Sequence, residues 1–341
     1  MTKHRYQPDF NELLTVLKKQ KPSRPVLFEL FMNPTAYSLL TGRKQEDDSE
    51  DAYFRLIVDA FCAGGYDYAT LYASNFTFHT DERDTKQTIS LNEGFIITDE
   101  KSFEEYEWPN PENFDYSRLD SIGKYLPDGM KLMIMGPGGV LENVIALVGY
   151  ENLCYMIADE PELVERIFDE VGSRLLKYYQ IAVEYDSVGL LSLNDDWGFN
   201  SQTFLSPDDM RQLVFPWHKK IVEITHNHNK AAILHSCGNM EAIVEDIIED
   251  IKFDGKHSYE DKIHPVEKSY QRWGDRIAIL GGIDVDYLVK SSTEDIRKRA
   301  EKMLELSQER GSYALGSGNS IPEYVPYDNY RAMIDVALSK R

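Results

Sequence analysis

Cysteine is scarce in this chain: only Cys62, Cys154 and Cys237 occur. An odd count at wide spacing excludes a disulfide framework and suits a reducing compartment. Basic residues are also in short supply, 37 Lys and Arg against 58 Asp and Glu, for a net charge of −21. A surface of that sign repels phosphate backbones, so nucleic acid is excluded as a natural partner. No stretch approaches the roughly 18 consecutive apolar residues of a membrane span. Residues 1–9 hold no apolar core of signal-peptide length, so the expectation is a cytoplasmic protein without membrane contact. A phosphate loop and a dinucleotide fingerprint are missing as well. The one glycine-rich turn, Gly136-Pro137-Gly138-Gly139, fits neither pattern and reads as a tight turn, with amides able to hold an anion.

What the chain does have is ordinary globular composition, 42% hydrophobic and 28% charged over 341 residues. Short apolar runs of strand length begin near residues 25, 66, 131, 188, 230, 253, 277 and 313. Most are followed by helical spacing, for example Leu163, Val164, Ile167, Val171 and Leu175 behind Pro161. Eight alternations of strand and helix predict an α/β fold, a single (β/α)8 TIM barrel spanning residues 1–341 as one domain. The stretch 76–116 departs from that rhythm. It contains a hairpin-like pattern, Thr88–Leu91 and Phe95–Thr98 around Asn92-Glu93-Gly94, and scattered aromatics such as Phe76, Phe78, Tyr106 and Trp108. Long excursions of this kind serve as lids or binding loops, so it is expected to be an insertion after the second strand that covers the C-terminal face.

Barrel enzymes build their sites at the C-terminal ends of the strands. Placed there by the predicted boundaries are Glu29, Asp195 or Asp196, His235 and Cys237, His257 and Glu260, Asp284, and Asn319. Glu29, His235 and His257 lie in or at the end of apolar runs, where a polar group needs a partner, a metal or a pocket. His235 and Cys237 stand two apart at a strand end, so they project to the same side, and an imidazole with a thiolate is half of a zinc site. The third ligand has to come from another strand end, with Glu29, Asp195, Asp196, His257 and Glu260 as candidates. A thiol bound at such a centre stays deprotonated near neutral pH. Without metal, Glu29, Asp195, Asp196 and His257 still offer general acid–base groups. Trp197, Glu260, Asp284 and Asn319 are then the expected substrate contacts.

Several stretches together resemble one family: Leu193-Asn-Asp-Asp-Trp-Gly198, Leu205-Ser-Pro207, Phe215-Pro216, His235-Ser-Cys-Gly238, Leu280-Gly-Gly-Ile-Asp284 and Gly316-Ser-Gly-Asn-Ser-Ile-Pro322. In order and content they are similar to the uroporphyrinogen decarboxylase superfamily, and more closely to its corrinoid-linked methyltransferase branch, the methylcobamide:coenzyme M type. That resemblance implies a small-molecule substrate, a partner protein carrying a corrinoid (cobalamin), and zinc held by the His-x-Cys pair and a later cysteine; a homodimer is compatible with it. His235 and Cys237 match the pair, whereas Asn319 stands in the segment where the later cysteine belongs. The alternative the superfamily implies is a lyase, decarboxylating uroporphyrinogen. Decarboxylases follow the first strand with an arginine-rich segment, and Phe28–Pro34 carries Glu29 and no arginine. A third alternative is a non-catalytic barrel that only docks a corrinoid partner.

Overall fold

The computed structural model describes residues 6–80 and 91–341. Seven parallel strands lie side by side in chain order: β1 (Tyr68–Tyr72), β2 (Lys131–Met135), β3 (Val188–Asn194), β4 (Ala231–His235), β5 (Gly255–His257), β6 (Ala278–Leu280) and β7 (Tyr313–Ala314). Strands in such a curled parallel sheet are covered on both faces and therefore read as continuous apolar runs. β3 is the plainest case, buried from Val188 through Leu193. Helices such as Val140–Val148, Pro161–Val183 and Phe215–Asn227 form the outer layer. Among the described residues, no single helix is long and apolar enough to cross a membrane.

Where the sequence predicts an eighth strand, near residue 25, the chain forms only an isolated parallel bridge, Leu27 to Leu315. Phe28 N–H donates to the Leu315 carbonyl and Leu315 N–H to the Val26 carbonyl, both at 2.8 Å. On its other edge the segment meets a side chain in place of a ladder. The Tyr68 hydroxyl accepts from Glu29 N–H at 2.8 Å and donates to the Glu29 carbonyl at 2.6 Å. One phenol thus satisfies both backbone groups of a buried residue, which explains why the run is apolar yet not a regular strand.

The 76–116 excursion lies between β1 and β2. Its aromatics stack on one another and on the helix Pro161–Val183. Phe76 lies 5.4 Å from Phe114 and 5.9 Å from Tyr178, and the Arg174 guanidinium sits 5.0 Å from the Trp108 ring. Tyr178 in turn ties this flank to the strand ends, donating to the Met135 carbonyl and accepting from Ala73 N–H. These contacts do not show the expected cover over the C-terminal face. Of the expected hairpin, residues 88–90 lie outside the described residues. Residues 95–98 form no strand, and Ile96 and Ile97 donate instead to the Leu147 carbonyl.

The helix that begins at a Ser206 cap widens over Met210–Val214, where Phe215 N–H reaches back to the Met210 carbonyl. Pro216 has no N–H to offer, and the wider turn bypasses that gap. The helix expected after β4 is a short tight turn, Glu241–Ile243, followed by a wide one, Asp246–Ile251.

Candidate metal centre

Neighbouring strand ends assemble the centre. β4 pairs in register with β3 and β5, so that Asn194, His235 and His257 stand side by side across three strands. Past Asn194 the two consecutive aspartates part company. Asp195 is fully buried and turns toward the helix Val140–Val148, accepting from Leu141 N–H at 3.1 Å and Glu142 N–H at 2.9 Å. The first turn of the helix after the glycine-rich turn thus binds a carboxylate that the protein itself supplies. His218 Nε2 bonds the same carboxylate at 2.8 Å. Asp196 points the other way. Its Oδ1 accepts the Cys237 N–H at 2.8 Å, which holds the carboxylate over the β4 loop.

Ligand atoms of Asp196, His235 and Cys237 all lie within 4.8 Å of one another, close enough to share a cation. Of the five candidates for a third donor, Asp196 is the one that joins the pair. His235 is buried, and Asp196 and Cys237 are half-buried. Burial holds the His235 imidazole down to about 4, so the ring is neutral and offers a lone pair. The Cys237 thiol is pushed upward by burial and then by the Asp196 carboxylate beside it. Two groups that would both be anionic are packed together here, and a cation between them removes the conflict. A carboxylate, an imidazole and a thiolate also make a fitting donor set for zinc with a position left open. Two donors already point at the sulfur, Ser258 Oγ and Asn319 Nδ2, each 3.3 Å from Sγ.

The other expected site residues surround this centre at different depths. Glu29 is fully buried, and both its oxygens accept from Ser317: the N–H at 2.8 Å and the hydroxyl at 2.6 Å. Burial raises its carboxyl to about 8. His257 is buried behind His235, with the two Nδ1 atoms 2.9 Å apart. Trp197 is fully buried against Phe215 and His218, beneath the centre. Asp284 accepts from Tyr287 N–H and Asp261 N–H, capping the helix Val285–Lys290. Glu260 is half-buried, its carboxyl raised by burial and by Asp284 and Asp196 nearby.

Two groups were not anticipated. Glu142 is half-buried, and its carboxyl is raised to about 8 by burial and by Asp195 and Asp196. Its only sequence signal is a position three residues after Gly139, where it accepts the Gly139 N–H as any helix cap would. Lys256 is the buried middle residue of β5, and its ammonium donates to the Ser258 carbonyl at 2.7 Å. Burial lowers it to about 8, against the opposing pull of Cys237 and Asp196. In Phe253-Asp-Gly-Lys-His257, with Asp254 before it and His257 after it, nothing singled out this lysine as buried.

The family model of uroporphyrinogen decarboxylase (URO-D) matches residues 97–339. The chain belongs to that family. Among solved structures, a methyltransferase from Methanosarcina mazei shares the fold with a TM-score of 0.67 at 17% identity, over 96% of this chain and 97% of that one. The putative vitamin-B12 independent methionine synthase from Listeria monocytogenes is similar with a TM-score of 0.53 at 13% identity, over 93% and 99% of the two chains. No curated protein sequence matches this chain.

Proposed function

We propose that this protein is a methyltransferase that moves a methyl group between a small substrate and a corrinoid carried by a partner protein, with zinc held by Asp196, His235 and Cys237. We read its fold as a (β/α)8 barrel whose first strand is the bridged segment around Leu27. The observation that carries the proposal is the convergence of the three ligand atoms within 4.8 Å at the ends of adjacent strands. The fold shared with a protein named a methyltransferase supports it.

When bound, zinc supplies Lewis acidity that keeps a thiol deprotonated near neutral pH. The chain's own groups prepare the place. The Cys237 amide fixes Asp196, and Ser258 and Asn319 stabilise negative charge on the Cys237 sulfur by donating to it. The Lys256 ammonium is held close by three carbonyls, of Ser236, His257 and Ser258, and offsets the two anionic donors. Asn319 acts in this reading as a hydrogen-bond donor to Cys237, which explains how the centre manages without the family's later cysteine.

The family match favours a second reading, decarboxylation of a porphyrinogen. Glu29 does not bear on it, because its carboxylate faces Ser317 and not the cleft. Glu142 and Glu260 each lie near enough to Asp196 for its charge to raise their carboxyls, and a substrate bearing many carboxylates is poorly matched to this acidic group.

Elemental analysis of the purified protein, beside Cys237→Ala and Asp196→Ala, tests the proposal. One zinc per chain is expected in the wild type and much less in either variant. Methyl transfer from methylcobalamin to a thiol should follow the same order. A metal-free wild type that converts uroporphyrinogen to coproporphyrinogen would replace this proposal with the second reading.

A further inference from the structure

His257 makes two hydrogen bonds, and one of them fixes the other. Its Nε2 lies 3.2 Å from the Ser317 carbonyl oxygen, which can only accept. Nε2 therefore carries the proton. The ring is fully buried, with Phe28 at 4.9 Å centroid to centroid and, among the described residues, no carboxylate bonded to it. A cationic ring there would be an unpaired buried charge, so His257 is neutral and its Nδ1 is bare. The atom facing that bare Nδ1 at 2.9 Å is Nδ1 of His235, which must then be the donor. His235 is left with a bare Nε2, and that is the nitrogen facing Cys237, 3.9 Å from Sγ.

We infer that His257 is a positioning residue: through Ser317 and Glu29 it locks His235 in the Nδ1–H tautomer, so that the Nε2 lone pair is presented between Asp196 and Cys237. The chain behind it is continuous. Glu29 accepts both donors of Ser317, the N–H and the hydroxyl, and so holds the residue whose carbonyl meets His257. Two glycines of the sequence motifs keep this path open. At Gly281, where φ is +66°, a Cβ would run into the Ser317 carbonyl and stand 3.0 Å from His257 Nε2. At Gly316 a Cβ would collide with the Phe28 carbonyl and lie 3.3 Å from a Glu29 oxygen. Neither Leu280–Asp284 nor Gly316–Pro322 reaches the three ligands through these glycines; their place is in the support of His235. The arrangement is a hydrogen-bond partner that orients a metal-binding histidine and sets its tautomer.

The inference deepens the metal reading of the same centre, but its test does not depend on metal. In zinc-free protein labelled with 15N in the imidazole rings, two-bond 15N–1H correlations report each tautomer, and His235→Ala assigns the His235 signals. Wild-type His235 should be the Nδ1–H form. His257→Leu, which removes the acceptor, should release His235 to the Nε2–H form and weaken cobalt(II) binding about 10- to 100-fold. His257→Asn places an amide oxygen where Nδ1 stood, and should keep both the tautomer and the affinity within a few-fold. An Nε2–H wild type overturns the inference, and so does a His257→Leu variant with an unchanged tautomer. A wild type that shows the Nδ1–H form yet binds neither cobalt nor zinc leaves the tautomer lock standing and overturns the metal proposal instead.

Discussion

Replacing Glu29 with Gln should make the protein more stable at alkaline pH, and the gain should grow with pH. Glu29 is fully buried, and burial raises its carboxyl from 4.5 to about 8, only partly offset by the two bonds from Ser317. Between those two values the folded protein holds a proton that the unfolded chain has released. The unfolded state therefore binds fewer protons, and stability falls as pH rises, by about 1.4 kcal/mol per pH unit at most. Below about pH 4.5 the group is neutral in both states and contributes nothing to the slope; above about pH 8 the loss is complete. Across the two units from pH 5.5 to 7.5 the expected loss is about 2.5 kcal/mol. Glutamine has no titration, its oxygen still accepts the Ser317 N–H, and the serine hydroxyl can rotate to accept from its amide. Scanning calorimetry of both proteins at half-unit steps gives the difference in which all other titrating groups cancel. The melting temperature of the wild type should fall behind that of Glu29→Gln by several degrees over the window. A difference that stays flat above pH 5 would refute the reasoning, because it would mean that Ser317 holds Glu29 ionised despite its burial.

Three further substitutions probe the framework and the centre. Tyr68→Phe removes the hydroxyl that joins both backbone groups of Glu29, leaving a buried N–H and carbonyl unpaired, and should cost about 2–4 kcal/mol in denaturant unfolding; a loss below about 0.5 kcal/mol would show that water fills the seam. Gly316→Ala drives a methyl group into the Phe28 carbonyl and should lower the melting temperature by several degrees, whereas an unchanged melting point would mean that the bridge between residues 27 and 315 is not held as described. Asn319→Cys puts a second sulfur where an amide now lies 3.3 Å from Cys237 Sγ; the cobalt(II) form should show stronger thiolate-to-metal absorption and tighter binding, and an unaltered spectrum would place the β7 loop out of reach of the ligands.

Much of the fold was legible because a strand buried on both faces tends to be an apolar run, and each of β1 to β7 falls at one of the eight expected positions, although β5, Gly255-Lys-His257, is itself polar. The exception is the run near residue 25, where a tyrosine hydroxyl from β1 replaces the ladder. Nothing local to residues 25–31 could announce that Tyr68 would stand there. The 76–116 stretch was read from its alternating pattern, but its aromatics are satisfied by partners far along the chain, Phe76 by Tyr178 and Trp108 by Arg174. At the centre, strand alternation explains the pairing of His235 with Cys237 and the divergence of Asp195 from Asp196. It could not say which aspartate faces the cysteine, because that depends on the Val140–Val148 helix claiming Asp195 with two amides. Glu29 was recognisable as a carboxylate in need of a partner, and the partner, Ser317, lies 288 residues away.

The exchange of a cysteine for Asp196 keeps one property of the expected donor set and alters another. Two thiolates with one imidazole carry two negative charges, and so do a carboxylate, a thiolate and an imidazole, so on the proposed reading the charge that balances a divalent cation is preserved. What changes is softness: an oxygen replaces a sulfur, and a harder donor set leaves the metal a stronger Lewis acid. It also changes where the ligands come from. On that reading all three come from the end of β4 and the loops after β3 and β4, and the β7 loop brings Asn319 to the sulfur as a hydrogen-bond donor. Together with Ser258 it places two donors on Cys237 Sγ, which lowers the nucleophilicity of the sulfur while favouring its ionised form. On the proposed reading, a cysteine so arranged is suited to remain a ligand and unsuited to attack a methyl group itself, which leaves the attacking role to the substrate.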